Sequence, residues 1–541
     1  MSKKESFVKG TLILAAAALV ARVLGLAQRV PLEHLFNSVG NASFTQANTV
    51  YLMLLPLATA GIPSTLSKMV SERYALNRPN EAQQVYRAAL IFAAVIGVIM
   101  STLLYIAAPY YAEYAKVPES TLAIRAIAPA LLLFPSIAMM RGYFQGRNNM
   151  MAGGISQILE QIARVSTAII LAYILLRQGY SNTWMAAGAS FGSVFGSFGA
   201  FGVMLYYAVK MRRSEGQQAL YATNEAKLPL LGIYKDIFTL SIPIVLSSVT
   251  VPVVNFIDTT LIVPLLSGQV GLENATDVLG IFGSRAQSVA GIPPVLSIAL
   301  STSLIPIISA AYARRDEQHL KRQVTLALRI SILTGTPIVL SLVVAAYSVN
   351  GLLFKSLDGS GIVGMLTLGT IFQITMMTTN SILLGMGKSR ISMYYVLAGI
   401  IVKLVASLLL SKVFGIYGII GATALCFIVI TMLNIRMLKK IIPFEIMGKR
   451  WGGFTVAVFA SGGIGYGLNE AGIMLTHVMP DRLAFLITSL TVGAAVVIIY
   501  LILLIVLSVL SREELASYPR PLQKLLNPLM KLQPARVRVN G

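Results

Sequence analysis

Charge is scarce in this chain, and acidic charge is scarcest. Of 541 residues only 12% are charged, and 21 Asp and Glu stand against 43 Lys and Arg. A soluble protein of this length carries about a quarter charged residues. A single cysteine, Cys426, excludes an intrachain disulfide. The three histidines, His34, His319 and His477, are scattered through loops and suggest no metal site. Alternating strand-length segments of the barrel type are missing. What remains is 56% hydrophobic with a mean hydropathy of +0.75. Apolar runs of about 20 residues recur, the length that crosses a hydrocarbon core of about 30 Å. Within a bilayer each run must satisfy its own backbone polar groups, so the runs are read as helices. The sequence predicts an all-α polytopic membrane protein with no sizeable soluble domain.

Fourteen spans are read, near 10–30, 46–70, 87–110, 121–141, 153–176, 184–209, 238–266, 278–308, 324–350, 362–386, 390–411, 416–435, 453–475 and 484–510. With the N-terminus inside, most Lys and Arg fall in the tails and loops on the N-terminal side, the positive-inside bias. The net charge of +22 therefore orients the chain and attracts anionic lipid headgroups. It does not point to nucleic acid. The first span follows a basic segment, as a signal peptide would. It is too long for one, carries Arg22 and lacks a clear cleavage box, so it is read as a helix.

The chain repeats itself. STLSKMVSERYALNRPNEAQQVYRAAL (64–90) resembles TSLIPIISAAYARRDEQHLKRQVTLAL (302–328), with Tyr74 on Tyr312, 238 residues apart. FQGRNNMMAGGISQILEQIARV (144–165) resembles LLGMGKSRISMYYVLAGIIVKL (383–404) at an offset of 239, which sets Arg164 on Lys403. Six spans separate the equivalents, an even number, so both halves share one orientation. That predicts two six-helix bundles related by a pseudo-twofold along the membrane normal, a plan of secondary transporters. The domains read as 1–209 (spans 1–6), a basic cytoplasmic linker 210–237, 238–440 (spans 7–12), an appended pair of spans in 441–510, and a basic tail 511–541.

Five cations lie within spans: Arg22, Arg29, Arg164, Arg285 and Lys403. Each costs about 2.5–3.5 kcal/mol at mid-bilayer, so such residues face a bundle interior or a watery cavity. Arg29, near a span end and before Pro31, also fits snorkelling. Arg164 follows Glu160 by four residues, the favourable order for a helical ion pair. Lys403 has no partner on its own span. Arg22 and Arg285 sit several residues deep with no acidic neighbour on their helices. Asp258, in VPVVNFIDTTLIVP, is the clearest acidic residue inside a span. It reads as an ion-pair partner of Arg22 or Arg285, as a switch holding an arginine when substrate is absent, or as a cation-coupling site. Gly188, Gly192 and Gly196 form a small-residue packing face. Pro243, Pro252 and Pro264 interrupt span 7, and Pro293, Pro294 and Pro306 interrupt span 8. LLGMGKSR (383–390) lacks the earlier glycine of a phosphate loop, and GGIGYG (462–467) does not fit GxGxxG, so no nucleotide site and no cofactor is read.

At these residues a family resemblance enters. RGYFQGRNNMMAGGISQILEQIARV (141–165) resembles the signature between the fourth and fifth spans of the polysaccharide-transport branch of the multidrug/oligosaccharidyl-lipid/polysaccharide flippases. ARVLGLAQRV (21–30) is similar to the first helix of the lipid II flippases of the MurJ type. NFIDTTLI (255–262) and SRAQSVAGIPPVLSIALSTSLIP (284–306) resemble the seventh and eighth helices of Gram-positive members. The sporulation protein B-like branch and the O-antigen-type exporters share many of these motifs. The resemblance implies a V-shaped pair of bundles around a cationic cavity, working by alternating access in the bacterial cytoplasmic membrane. It places cavity arginines at Arg22 and Arg285. The family's second arginine of the first helix is displaced here, where the chain reads Gln28-Arg29.

The substrate expected from this is a lipid-linked glycan, whose pyrophosphate cannot cross hydrocarbon unaided and which arginines neutralise with charge-assisted, often bidentate hydrogen bonds. Lipid II is the first candidate and another undecaprenyl-linked glycan the second. A cation–drug antiporter would prefer cavity carboxylates, against the surplus of cations in the spans. A membrane glycosyltransferase would want acidic residues on sizeable outside loops, and the outside loops are short, so the chain is read as a non-enzyme. Cell-wall synthesis proteins are admitted as partners.

Overall fold

The computed structural model describes residues 16–17, 19–21, 23–25, 27–59, 62–215, 234, 239, 241–242, 245–246, 248–295, 305, 308–354 and 356–510. Arg22, Pro243, Pro306, most of the linker and the tail 511–541 lie outside them. Among the described residues the secondary structure is helical throughout. Ten helices among the described residues are long and apolar enough to cross a membrane, from Pro79–Tyr114 to Asp481–Val506. The chain is an all-α, multi-pass membrane protein.

Several spans differ in detail from their sequence reading. The second is helical over Ser38–Thr59 and Ile62–Ala75, with 60 and 61 outside the described residues. The third, Pro79–Tyr114, has 36 residues. At 1.5 Å per residue that is about 54 Å, longer than the hydrocarbon core. The eighth is not one continuous helix. Leu272–Ile281 runs into a π-helical turn, Phe282–Ala286, then Gln287–Ala290, and the chain turns at Gly291. Pro293 and Pro294 explain the stop, because proline lacks an N–H and disfavours helical geometry in the residue before it.

The repeat recurs in local geometry. Asn77 and Arg315, 238 apart, both adopt left-handed φ, 58° and 55°. Asn148 and Gly387, 239 apart, do the same at 61° and 71°. Each follows a helix end, where a left-handed residue closes the last turn. The next helices start in step, Pro79–Tyr114 with Glu317–Val344 and Met150–Arg177 with Ser389–Phe414. Asn149 and Asp316 cap two of these starts through their side chains.

Two compact units form. The first comprises 1–284 and 389–422, the second 285–388 and 423–541. In the first, Met150–Arg177 packs along Asn182–Glu215 at the three-glycine face. A Cβ on Gly188 would meet the Leu175 side chain at 2.7 Å, one on Gly192 the Ala168 backbone nitrogen at 2.8 Å, and one on Gly196 the Glu160 carbonyl at 2.9 Å. Lipid supplies no hydrophobic drive between helices, so this close backbone approach supplies the contact. The glycines of RGYFQG act likewise. A Cβ on Gly142 would lie 2.5 Å from the Pro63 carbonyl, and one on Gly146 2.6 Å from that of Ser67.

In the second unit Trp451–Ile473 packs on Asp481–Val506, with Gly465 against Val496. Asn469 joins this pair to Ser348 by a 2.7 Å hydrogen bond. Arg329 donates to the Val509 carbonyl at 2.7 Å. Buried Asn434 donates to Thr379 and Asn380.

Candidate functional site

The helix Thr250–Val270 carries a deeply buried charge. Asp258 is 1% exposed and receives the Lys403 ammonium, itself fully buried. Lys403 reaches it from Ser389–Phe414 and also donates to the Ile419 carbonyl at 2.9 Å. Asp258 therefore has an ion-pair partner that the sequence reading did not give it. That reading offered Arg22 or Arg285 as the ion-pair partner, beside a switch or coupling role, and left the partner of Lys403 to another span. Sequence gives no signal for a pair 145 residues apart on separate helices. A buried ion pair is tolerated because its charges cancel, whereas either alone would be strongly destabilising.

Polar side chains flank this pair on the same helix. Tyr111 donates to Gln46 Oε1 at 2.6 Å and meets Thr260 Oγ1 at 2.9 Å. Gln46 donates to the Thr259 carbonyl at 2.8 Å, and Tyr111 stacks on Phe256 with ring centroids 5.6 Å apart. Three helices, Ser38–Thr59, Pro79–Tyr114 and Thr250–Val270, are thus cross-linked next to Asp258.

Glu160 and Arg164 do not form the expected i,i+4 pair. Glu160 accepts from Arg141 Nη2 at 2.8 Å, and Arg164 donates to Gln161 Oε1 at 2.5 Å. Arg141 escaped the sequence reading because it closes its span, where a headgroup contact is the ordinary expectation. The helix Ala130–Gly146 continues past it and holds it 19% exposed. The start of the RGYFQG signature was the available signal.

Arg29 does more than snorkel. It donates to the carbonyl of Gly283 in the π-helical turn. It also lines a small cleft with Leu32, Asn41, Phe44, Thr45, Asn48, Gly283 and Ser284. Gly283 must lack a side chain, since a Cβ would lie 2.0 Å from Thr45. Arg285, in the same turn, is 9% exposed. Its Nη1 donates to the carbonyls of Ser356 and Asp358, each at 3.0 Å, and its guanidinium lies 6.0 Å from the Phe354 ring centroid. Asn350 donates to the same two carbonyls at 3.2 Å. A π-turn widens the helix and commonly marks functional positions. Arg22 lies outside the described residues.

The structure thus groups the membrane cations with short-range partners of different kinds: Lys403 with a carboxylate, Arg164 with an amide, Arg29 and Arg285 with backbone carbonyls. Three of the four are guanidiniums, and Arg164 makes no salt bridge among the described residues. Chemically, such groups suit an anion.

Comparison with known proteins is consistent with this chemistry. The model of the polysaccharide biosynthesis protein family matches residues 7–312. The chain belongs to that family. The uncharacterized membrane protein YabM of Bacillus subtilis is 27% identical over 438 residues, 81% of each chain. Lipid II flippase MurJ of the same organism is 25% identical, over 81% of this chain and 83% of its own. Its stage V sporulation protein B is also 25% identical, over 95% of this chain and 98% of its own. Among solved structures, an inward-facing multidrug-resistance MATE transporter of the MOP superfamily superimposes with a TM-score of 0.64 at 14% identity. It covers 78% of this chain and 95% of that one. The fold is MATE-like.

Proposed function

We propose that this protein is a flippase for an undecaprenyl-pyrophosphate-linked glycan, lipid II in the first instance, moving it from the inner to the outer leaflet of the bacterial cytoplasmic membrane. The observation that carries the reading is the three guanidiniums of Arg29, Arg164 and Arg285 held within the membrane helices, in a chain of the polysaccharide biosynthesis family. An anionic headgroup needs such donors, whereas a cation exporter needs the reverse. The halves 1–209 and 238–440, joined by the cytoplasmic linker 210–237, alternate in access, with both termini cytoplasmic. The glycan headgroup passes along the arginines, Arg22 first among them, while the polyprenyl tail stays in lipid. The protein itself makes and breaks no covalent bond.

The relative named as a lipid II flippase supports lipid II as the cargo. A second reading has its own support. Stage V sporulation protein B matches over a larger share of both chains, which favours another lipid-linked glycan. Depletion in the native host decides between them. Lipid II accumulating in the inner leaflet supports the first reading. Accumulation of a different undecaprenyl-linked precursor supports the second, and accumulation of none contradicts both.

A further inference from the structure

Five polar side chains run in hydrogen-bonded series through the first unit. Ser156 Oγ accepts from Arg141 Nε at 3.2 Å and Nη2 at 2.8 Å. Arg141 Nη2 also donates to Glu160 Oε2 at 2.8 Å. Gln161 Nε2 donates to Glu160 Oε1 at 3.4 Å, and Arg164 Nη2 donates to Gln161 Oε1 at 2.5 Å. The series holds two guanidiniums and one carboxylate, so one positive charge is left over. It resides on Arg164, which has no carboxylate partner among the described residues and whose Nε is buried with no acceptor.

Buried polar groups kept only for structure are normally satisfied. Here a guanidinium N–H is unsatisfied beside a net positive charge. That combination is a binding site for a phosphoryl oxygen, which accepts charge-assisted hydrogen bonds from such donors. The first helix is shaped for the same group. Arg164 Nη2 lies 3.3 Å from where a Cβ on Gly25 would stand. Gly25 ends the R-V-L-G stretch, and any larger side chain there crowds the guanidinium.

We propose that Arg164 forms an anion station for the pyrophosphate of a polyprenyl-linked substrate, with Glu160 as its built-in competitor. The proposal rests on the flippase reading above. An empty station keeps the Arg141 guanidinium and the Gln161 amide on Glu160. An arriving phosphoryl group takes the spare donor of Arg164 and competes with Glu160 for the rest. A passing substrate needs a site it can leave, and an internal carboxylate supplies the displacing anion.

The test is equilibrium binding of undecaprenyl pyrophosphate to the full chain in detergent, with phosphatidylglycerol and inorganic pyrophosphate as parallel probes. Arg164→Gln should weaken undecaprenyl pyrophosphate binding about ten-fold or more, the loss of one charged hydrogen bond. Arg164→Lys should fall between it and the wild type. Glu160→Gln should tighten binding, an effect opposite in sign that a purely structural role would not produce. If Arg164→Gln does not fold, Gly25→Val displaces the same guanidinium without removing its charge and should weaken binding comparably. Unchanged affinity in folded Arg164→Gln or Gly25→Val, or no tightening in Glu160→Gln, overturns the station and leaves the flippase reading standing. Equal, Arg164-dependent binding of phosphatidylglycerol or inorganic pyrophosphate overturns the assignment to a polyprenyl substrate. A wild-type protein that does not bind undecaprenyl pyrophosphate overturns the flippase reading and the station together.

Discussion

Lys403 and Asp258 form a fully buried ion pair between the helices Ser389–Phe414 and Thr250–Val270. The pair explains why Lys403, which stands on Arg164 in the repeat, is not a free cation like its counterpart. It also removes Lys403 from the groups available to an anionic substrate unless Asp258 lets it go.

Breaking the pair from one side strands a charge. Asp258→Asn or Lys403→Met alone should therefore destabilise the protein, by about 3–5 kcal/mol. Asp258→Asn with Lys403→Met should recover much of the loss. Thermal midpoints of the three purified variants measure this. A double variant no more stable than either single one would show that the pair is not what keeps these residues there.

Arg285 holds the segment Ser356–Asp358 through two carbonyls that Asn350 also holds. Arg285→Gln should speed amide hydrogen exchange across 356–360 without lowering abundance, since Asn350 remains. Arg285→Lys should protect the segment partly, because one ammonium can still donate to a carbonyl. Exchange identical to wild type in Arg285→Gln would mean that the contact contributes nothing to holding the loop.

The glycine face offers a graded test. Gly192→Ala places a methyl 2.8 Å from the Ala168 backbone nitrogen and from the Arg164 carbonyl, so the helices must separate. Its thermal midpoint should drop by several degrees. At Gly202, on the same helix, a Cβ meets nothing within 4 Å. Gly202→Ala should leave the midpoint unchanged or raise it, because alanine favours a helix by up to about 1 kcal/mol over glycine. Equal drops at both sites would contradict close packing at Gly192.

Orientation is tested by cysteines placed at Ser214 and at Glu273 and an impermeant thiol reagent on intact cells. The native Cys426 is buried and gives little background. The charge asymmetry predicts labelling at 273 and protection at 214. The reverse pattern would invert the topology.

How far the sequence alone leads depends on the range of the interaction. The helical class, the internal repeat and the Gly188, Gly192 and Gly196 face are local patterns, and each has a counterpart in the structure. Arg141 is not among the five cations read within spans, because sequence marks where apolar character ends, not where a helix ends. The Asp258–Lys403 pair, the Arg29 bond to Gly283 and the Arg285 clamp join residues far apart in the chain. No spacing rule reaches them. The stop at Gly291 was half legible, since Pro293 and Pro294 announced a bend but not a full break.

The central claim is that this chain carries a lipid-linked pyrophosphate across a bilayer, and reconstitution measures that directly. The full chain is placed in liposomes holding lipid II in both leaflets, and the fraction open to an external, membrane-impermeant modifying enzyme is followed with time, with and without an imposed membrane potential. The account predicts that the inner-leaflet lipid II becomes accessible in protein-containing liposomes, and that Arg22→Gln abolishes this while Arg22→Lys keeps part of it. Accessibility no greater than in protein-free liposomes under either condition, or full transport by Arg22→Gln, would contradict it.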